Sequence, residues 1–185
     1  MNRDASTTIS RGLILGAIAM TAIVTGSNVA VQFPINDWLT WGAFTYPVSF
    51  LVTDLINRSL GPAQARRVVY VGFAVAVVLS AWLATWRIAA ASGLAFLCAQ
   101  LLDIVIFDRL RRGVWWRAPL VSSTLASALD TLLFFSLAFA GTGLPWITWA
   151  LGDYVVKLFM ATALLGPFRA LMGFIRPGFA TESQA

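Results

Sequence analysis

The sequence predicts an all-α membrane protein, a bundle of six transmembrane helices, and three observations carry that prediction. The chain is 59% hydrophobic and only 11% charged, whereas a soluble domain is about 25% charged, so its apolar side chains exceed what a water-solvated fold can hide. Six apolar stretches fall at about 12–32, 39–57, 65–84, 88–107, 117–140 and 146–168. Each is close to the roughly 20 residues that cross a hydrocarbon layer, the second somewhat shorter. The cations, finally, gather in alternate segments: Arg3 and Arg11, then Arg58, Arg66 and Arg67, then Arg109, Arg111, Arg112 and Arg117, then Arg169 and Arg176. These segments hold 11 of the 13 Lys and Arg, so the positive-inside rule puts both termini in the cytoplasm, with an even number of spans. Without a long linker or internal repeat, residues 1–185 read as a single transmembrane domain.

The first stretch begins like a signal peptide, with Arg3 and Arg11 ahead of an apolar run, but the run continues to Val31 without a small-x-small cleavage site. An uncleaved first helix is expected. Its Gly12 and Gly16, then Ala22, Gly26 and Ala30, form two small-residue series that permit close helix contact, expected here within the monomer. In the second stretch Pro47 removes a backbone hydrogen bond, with Tyr46 before the break and Thr53, Asp54 and Asn57 after it. Asp54 stands one turn from Arg58, which fits a structural ion pair as well as a transport role. In the fourth stretch Phe96, Gln100, Asp103 and Phe107 share one helical face, and in the fifth Ser123, Ser127, Asp130 and Phe134 repeat that spacing. All eight Trp lie near expected span ends, Trp38, Trp41, Trp82, Trp86, Trp146 and Trp149 outside and Trp115 and Trp116 inside, as an interfacial aromatic belt places them.

An ionised Asp at the centre of a membrane helix costs about 2.5–3.5 kcal/mol on insertion scales, so such residues face a partner or a cavity and often mark function. Counted from the cytoplasmic ends at the helical rise, Asp103 lies roughly 8 Å deep, Gln100 roughly 13 Å, and Asp130 and Lys157 both about 19 Å. Asp130 and Lys157 can therefore neutralise each other across consecutive antiparallel helices, while Asp153 and Lys157 form an i, i+4 acid-base pair. Spacing alone does not choose between the two acids. Asp108 meets several Arg at the interface and reads as an ion-pair partner.

Other classes of function find little support. With one Cys, Cys98, and no His, an intrachain disulfide, a multi-thiolate metal site and imidazole chemistry are excluded, and neither metal nor cofactor is expected. HExxH, GxxxxGK[ST] and GxSxG motifs are absent, so the chain does not read as an enzyme. An intramembrane Ser-Lys hydrolase built on Lys157 would lack most of the triad logic. The basic excess marks the cytoplasmic side, and no nucleic-acid partner is expected.

The phrases Tyr46-Pro47-Val48-Ser49-Phe50-Leu51-Val52-Thr53-Asp54, Gln100-Leu101-Leu102-Asp103-Ile104-Val105-Ile106-Phe107-Asp108, Ser122-Ser123 and Asp130-Thr131-Leu132-Leu133-Phe134-Phe135 resemble those of the queuosine precursor transporters in the vitamin uptake transporter family. The likeness spans the second to fifth stretches in order. It implies an inner-membrane importer of 7-cyano-7-deazaguanine or its aminomethyl relative, precursors of a modified tRNA base. The alternative it leaves open is a substrate-binding component of an energy-coupling-factor vitamin transporter, which needs a separate ATPase module. The partners implied are a small planar deazapurine, the lipid bilayer, and an energising module or a second copy of the chain.

A 7-deazaguanine presents adjacent N–H and amine donors beside a carbonyl acceptor. Asp103 and Gln100, one turn apart on one face, are therefore expected to read that edge, the carboxylate accepting and the carboxamide donating. Asp130, Ser123, Ser127 and Tyr46 complete the candidate ligand site, and Asp54, Asp153 and Lys157 are candidates for coupling or structural ion pairs. Phe96 and Phe107 flank the readers, as ring contacts or as helix packing. The competing reading has Asp103 reach an Arg of the fourth loop.

Overall fold

The computed structural model describes residues 3–30, 33–36, 38–83 and 86–173. Val31, Arg176 and the expected stretch ends at 32 and 84 lie outside the described residues. Helix α1 (Arg3–Ala30) leads into a small antiparallel hairpin of β1 (Pro34–Asn36) and β2 (Leu39–Thr40), followed by α2 (Gly42–Thr45) and α3 (Val48–Leu60). Then come α4 (Pro62–Leu83), α5 (Trp86–Leu110), α6 (Arg117–Phe139), α7 (Trp146–Ala163) and α8 (Leu165–Met172). Among the described residues, five segments are long and apolar enough to cross a membrane, in α1, α4, α5, α6 and the run Trp146–Met172.

The chain is thus an all-α, multi-pass membrane protein, but the expected second span differs from prediction. Residues 39–57 do not form one continuous helix. Pro47 has no N–H to continue the ladder of α2, so the backbone restarts with short-range bonds, Ser49 N–H to the Tyr46 carbonyl at 2.9 Å and Phe50 N–H to the Pro47 carbonyl at 3.1 Å. The 13 residues of α3 extend roughly 20 Å, short of the ~30 Å hydrocarbon layer. The last stretch is divided as well, at Leu164 between α7 and α8.

Local chemistry sets these corners. Gly61 follows α3 at φ 86°, a left-handed conformation that glycine adopts without strain, and Pro62 opens α4 with a φ already suited to a first helical turn. At the other end of the bundle Arg87 donates to the Leu137 carbonyl at 2.9 Å and to the Ala140 carbonyl at 2.7 Å, so the start of α5 caps the end of α6.

Polarity is inverted relative to a soluble protein. Leu15, Val78, Leu125 and Phe159 face outward, whereas Ser49, Thr53, Asn57, Gln100 and Asp103 are fully buried. Helix α1 packs inside the monomer as expected: a Cβ at Gly12 would meet Leu60 of α3 at 2.9 Å, and one at Gly16 would meet Ile56 at 2.8 Å. Its second small-residue series differs, since Ala22 and Gly26 are exposed and Gly26 has nothing within 4 Å. Trp38, Trp41, Trp82, Trp86 and Trp116 are exposed, while Trp115 lies 5.2 Å beneath the Arg169 guanidinium.

Candidate functional site

Helix α3 is where the polar faces meet. Ser49, Thr53 and Asn57 recur every four residues along one side of it, and Phe50 and Asp54 occupy the adjoining stripe. From α5, Gln100 Nε2 donates to Ser49 Oγ at 2.9 Å and Thr53 Oγ1 donates to Gln100 Oε1 at 2.6 Å. Both ends of the carboxamide are therefore engaged within the bundle. One turn further on, Asn57 Nδ2 donates to the Ile104 carbonyl at 3.0 Å, fixing α3 against α5.

A second network joins the break before α3 to α6 and α7. Lys157 Nζ lies 2.7 Å from Asp130 Oδ2 and 2.6 Å from Asp153 Oδ2, and 3.0 Å from Thr131 Oγ1. An ammonium has three protons, so these partners use all of them. The Thr131 hydroxyl donates in turn to Asp153 Oδ2 at 2.8 Å, and the Tyr46 hydroxyl donates to Asp130 Oδ1 at 3.0 Å. The ring of Tyr46 also lies 5.4 Å from the ammonium, within cation–π range. Lys157 thus takes both of the acids between which spacing could not choose. One cation is shared by two carboxylates whose second charge is offset by hydroxyl donors.

The remaining acids form a third group. Asp54 of α3 and Asp103 of α5 face each other, 2% and 0% exposed, with the hydroxyls of Ser122 and Ser123 of α6 beside them. Among the described residues, neither oxygen of Asp103 nor Oδ1 of Asp54 has a hydrogen-bond partner. The pairing of Asp54 with Arg58 that one-turn spacing suggested does not form among the described residues; Arg58 donates to the Arg111 carbonyl instead. Asp103 is turned inward, away from the fourth loop. Asp108 pairs with Arg111 at 2.9 Å as expected.

A cleft between α3, α6, α7 and α8 connects the second and third groups. It is narrow, with a volume of about 10 Å³ that has room for about one water, and its polar lining is Asp54, Ser123, Ser127 and Lys157, between Phe50 and Phe168. Of the expected ligand set, Ser123 and Ser127 line this cleft, while Asp130 and Tyr46 stand behind Lys157, Asp103 stands behind Asp54, and Gln100 is held by Ser49 and Thr53 outside the lining. Phe96 packs edge-on against Tyr46 and Phe107 against Phe168, so both rings serve helix packing.

With this geometry established, comparison with known proteins places the chain. The family model described as "Putative vitamin uptake transporter" matches residues 40–85 and 80–172, which takes in the break at Pro47, both polar networks and the cleft. The chain belongs to this family. A relative from Haemophilus influenzae, named "Probable queuosine precursor transporter", is 35% identical over 78% of this chain and 79% of its own length. The "Queuosine precursor transporter" of Escherichia coli is 32% identical over 88% of this chain and 87% of its own. A Bacillus subtilis relative with the same name as the first is 27% identical over 64% of this chain. No solved structure matches.

Sequence reasoning missed the part played by α3. Ser49 and Thr53 anchor Gln100, and Thr131 bridges Lys157 to Asp153. The four-residue recurrence of Ser49, Thr53 and Asn57 was the available signal, obscured because Pro47 and Arg58 drew the reading of that segment to its ends.

Proposed function

We propose that the chain imports a 7-deazaguanine precursor of queuosine across the bacterial inner membrane, with both termini cytoplasmic and α2 and α3 together serving as the second of six spans. Family membership and the relatives' names support a small-molecule transporter. The observation that carries the substrate class is the cleft, in which a buried carboxylate and two serine hydroxyls face one another between aromatic walls. The cleft has room for about one water as it stands, so it must open to admit a deazaguanine, whose adjacent N–H and amine donors would then go to Asp54 and whose carbonyl would accept from Ser123 or Ser127. Lys157 has its protons committed, so it contributes positive potential to the cleft and no hydrogen bond to the ligand. Asp103 and Gln100 act from behind, Gln100 by holding α3 in place.

The test is the queuosine content of tRNA in cells that cannot make the precursor and express this chain. Feeding 7-cyano-7-deazaguanine is expected to restore the modification, and no rise would count against the reading. Uptake by the purified chain alone in liposomes separates a self-sufficient carrier from a binding component that needs an ATPase module, since the latter would bind without accumulating ligand.

A further inference from the structure

The Asp54–Asp103 pair is not accounted for by ligand reading alone. The two carboxyl groups come from different helices, face each other away from water, and leave three oxygens without partners among the described residues. Like charges in contact at low dielectric are costly unless a cation or a proton intervenes. Helices α1 and α4, which also pack on α3, keep Arg11, Arg66, Arg67 and Tyr70 exposed, and the elements around the cleft offer little more to offset them. Helix α6 presents Ser122 and Ser123, and Lys157 of α7 lines the same cleft but is held by Asp130, Asp153 and Thr131. From α8 the cleft receives Phe168 and Leu165, and Arg58 on α3 is bonded to the Arg111 carbonyl. Arg111 itself pairs with Asp108 and reaches the Asn57 carbonyl. Two acceptor-only carboxylates cannot bond to one another, whereas a carboxylic acid and a carboxylate can.

We propose that Asp54 and Asp103 hold one proton between them and that this proton travels with the ligand, which makes the chain a proton-coupled importer. The coupling rests on the substrate reading above. With the proton on Asp103, Asp54 remains an anion able to accept both donors of the ligand, and the closing cleft dehydrates one charge rather than two. A proton enters from the outer water with the ligand and leaves to the inner water with it, so each cycle carries one ligand and one proton.

Two measurements test this on the full-length chain. The first needs no ligand: infrared difference spectroscopy of the purified protein should show the carbonyl stretch of a buried carboxylic acid near neutral pH, lost in Asp103→Asn. The absence of that band from the unsubstituted chain overturns the shared proton, and its persistence in Asp103→Asn overturns the assignment to this pair. The second uses proteoliposomes with the membrane potential clamped and radiolabelled 7-cyano-7-deazaguanine. An acid exterior should drive accumulation approaching about tenfold for a gradient of about one pH unit at one proton per ligand, and a protonophore should abolish it. Normal binding with uptake indifferent to the pH gradient, or driven by sodium alone, overturns the coupling. Failure to bind any deazapurine would overturn the substrate reading and the coupling with it, while the infrared band would still report on the pair.

Discussion

Lys157 Nζ and Asp130 Oδ2 lie 2.7 Å apart across the α6–α7 interface, both nearly inaccessible to solvent. Since Lys157 also holds Asp153 at 2.6 Å, it is the one ammonium between two acids, and removing it strands both. Breaking a buried pair by deleting one partner costs about 3–5 kcal/mol. Lys157→Met is therefore expected to lower the thermal unfolding temperature in detergent markedly. Lys157→Met combined with Asp130→Asn should recover part of the loss. Equal unfolding temperatures for Lys157→Met and the parent would show that the network does not stabilise the bundle.

Gln100 makes a complementary prediction. Its carboxamide joins Ser49 and Thr53 at 2.9 and 2.6 Å, so Gln100→Met leaves buried hydroxyls short of a partner at a cost of about 1–3 kcal/mol. Stability should fall while the deazaguanine affinity of the folded fraction changes little. A large loss of affinity with unchanged unfolding would restore Gln100 to the role of a direct reader.

The two glycine series of α1 should behave differently. A Cβ added at Gly16 would lie within 3.3 Å of both Ile56 and Val68, whereas one at Gly26 would enter open space. Gly16→Leu is expected to cost about 1–3 kcal/mol through overpacking, and Gly26→Leu almost nothing. The comparison is read from unfolding temperatures of the two purified variants, and equal effects would contradict the packing of α1 on α3 and α4.

How much was legible follows from the kind of signal each feature left. The polar faces of α5 and α6 were plain because Gln100 with Asp103, and Ser127 with Asp130, interrupt apolar helices at helical spacing; burial holds along the whole α5 face and along the α6 face as far as Asp130, with Phe134 half-buried. The level match of Asp130 and Lys157 was readable from helical rise alone. Which face meets which was not, because that depends on how the short α3 packs against α1, α4 and α5. Pro47 announced a break, but the four residues of α2 and the hairpin before it arise from tertiary support that no local pattern records. Asp54 stayed ambiguous for the same reason: one-turn spacing offered Arg58 beside a transport role, and only packing turned the carboxylate toward Asp103.

Topology is open to direct labelling. The last turn of α5 and the α5–α6 loop carry Arg109, Arg111 and Arg112, and the α6–α7 loop from Gly141 to Pro145 carries no charge. On a Cys98→Ala background, a cysteine at Thr142 should react with an impermeant thiol reagent added to intact cells, and one at Gly113 should react only after permeabilisation. The opposite pattern would invert the proposed orientation.

The two facing acids separate the ligand reader from its support. Asp54 lines the cleft and Asp103 does not, so Asp54→Asn converts an acceptor-only group into one acceptor and one donor at the point where the ligand would present two donors. One ligand donor then meets another donor, and binding of 7-cyano-7-deazaguanine should weaken by about 1–3 kcal/mol, roughly 5- to 150-fold. Asp103→Asn keeps a hydrogen-bond donor where the shared proton would sit, so it should lose much less affinity while making uptake insensitive to the pH gradient. Equilibrium binding to both purified variants decides between the acids. If Asp103→Asn loses the affinity and Asp54→Asn keeps it, the ligand edge is read from α5, and the cleft must open toward that helix when the ligand enters.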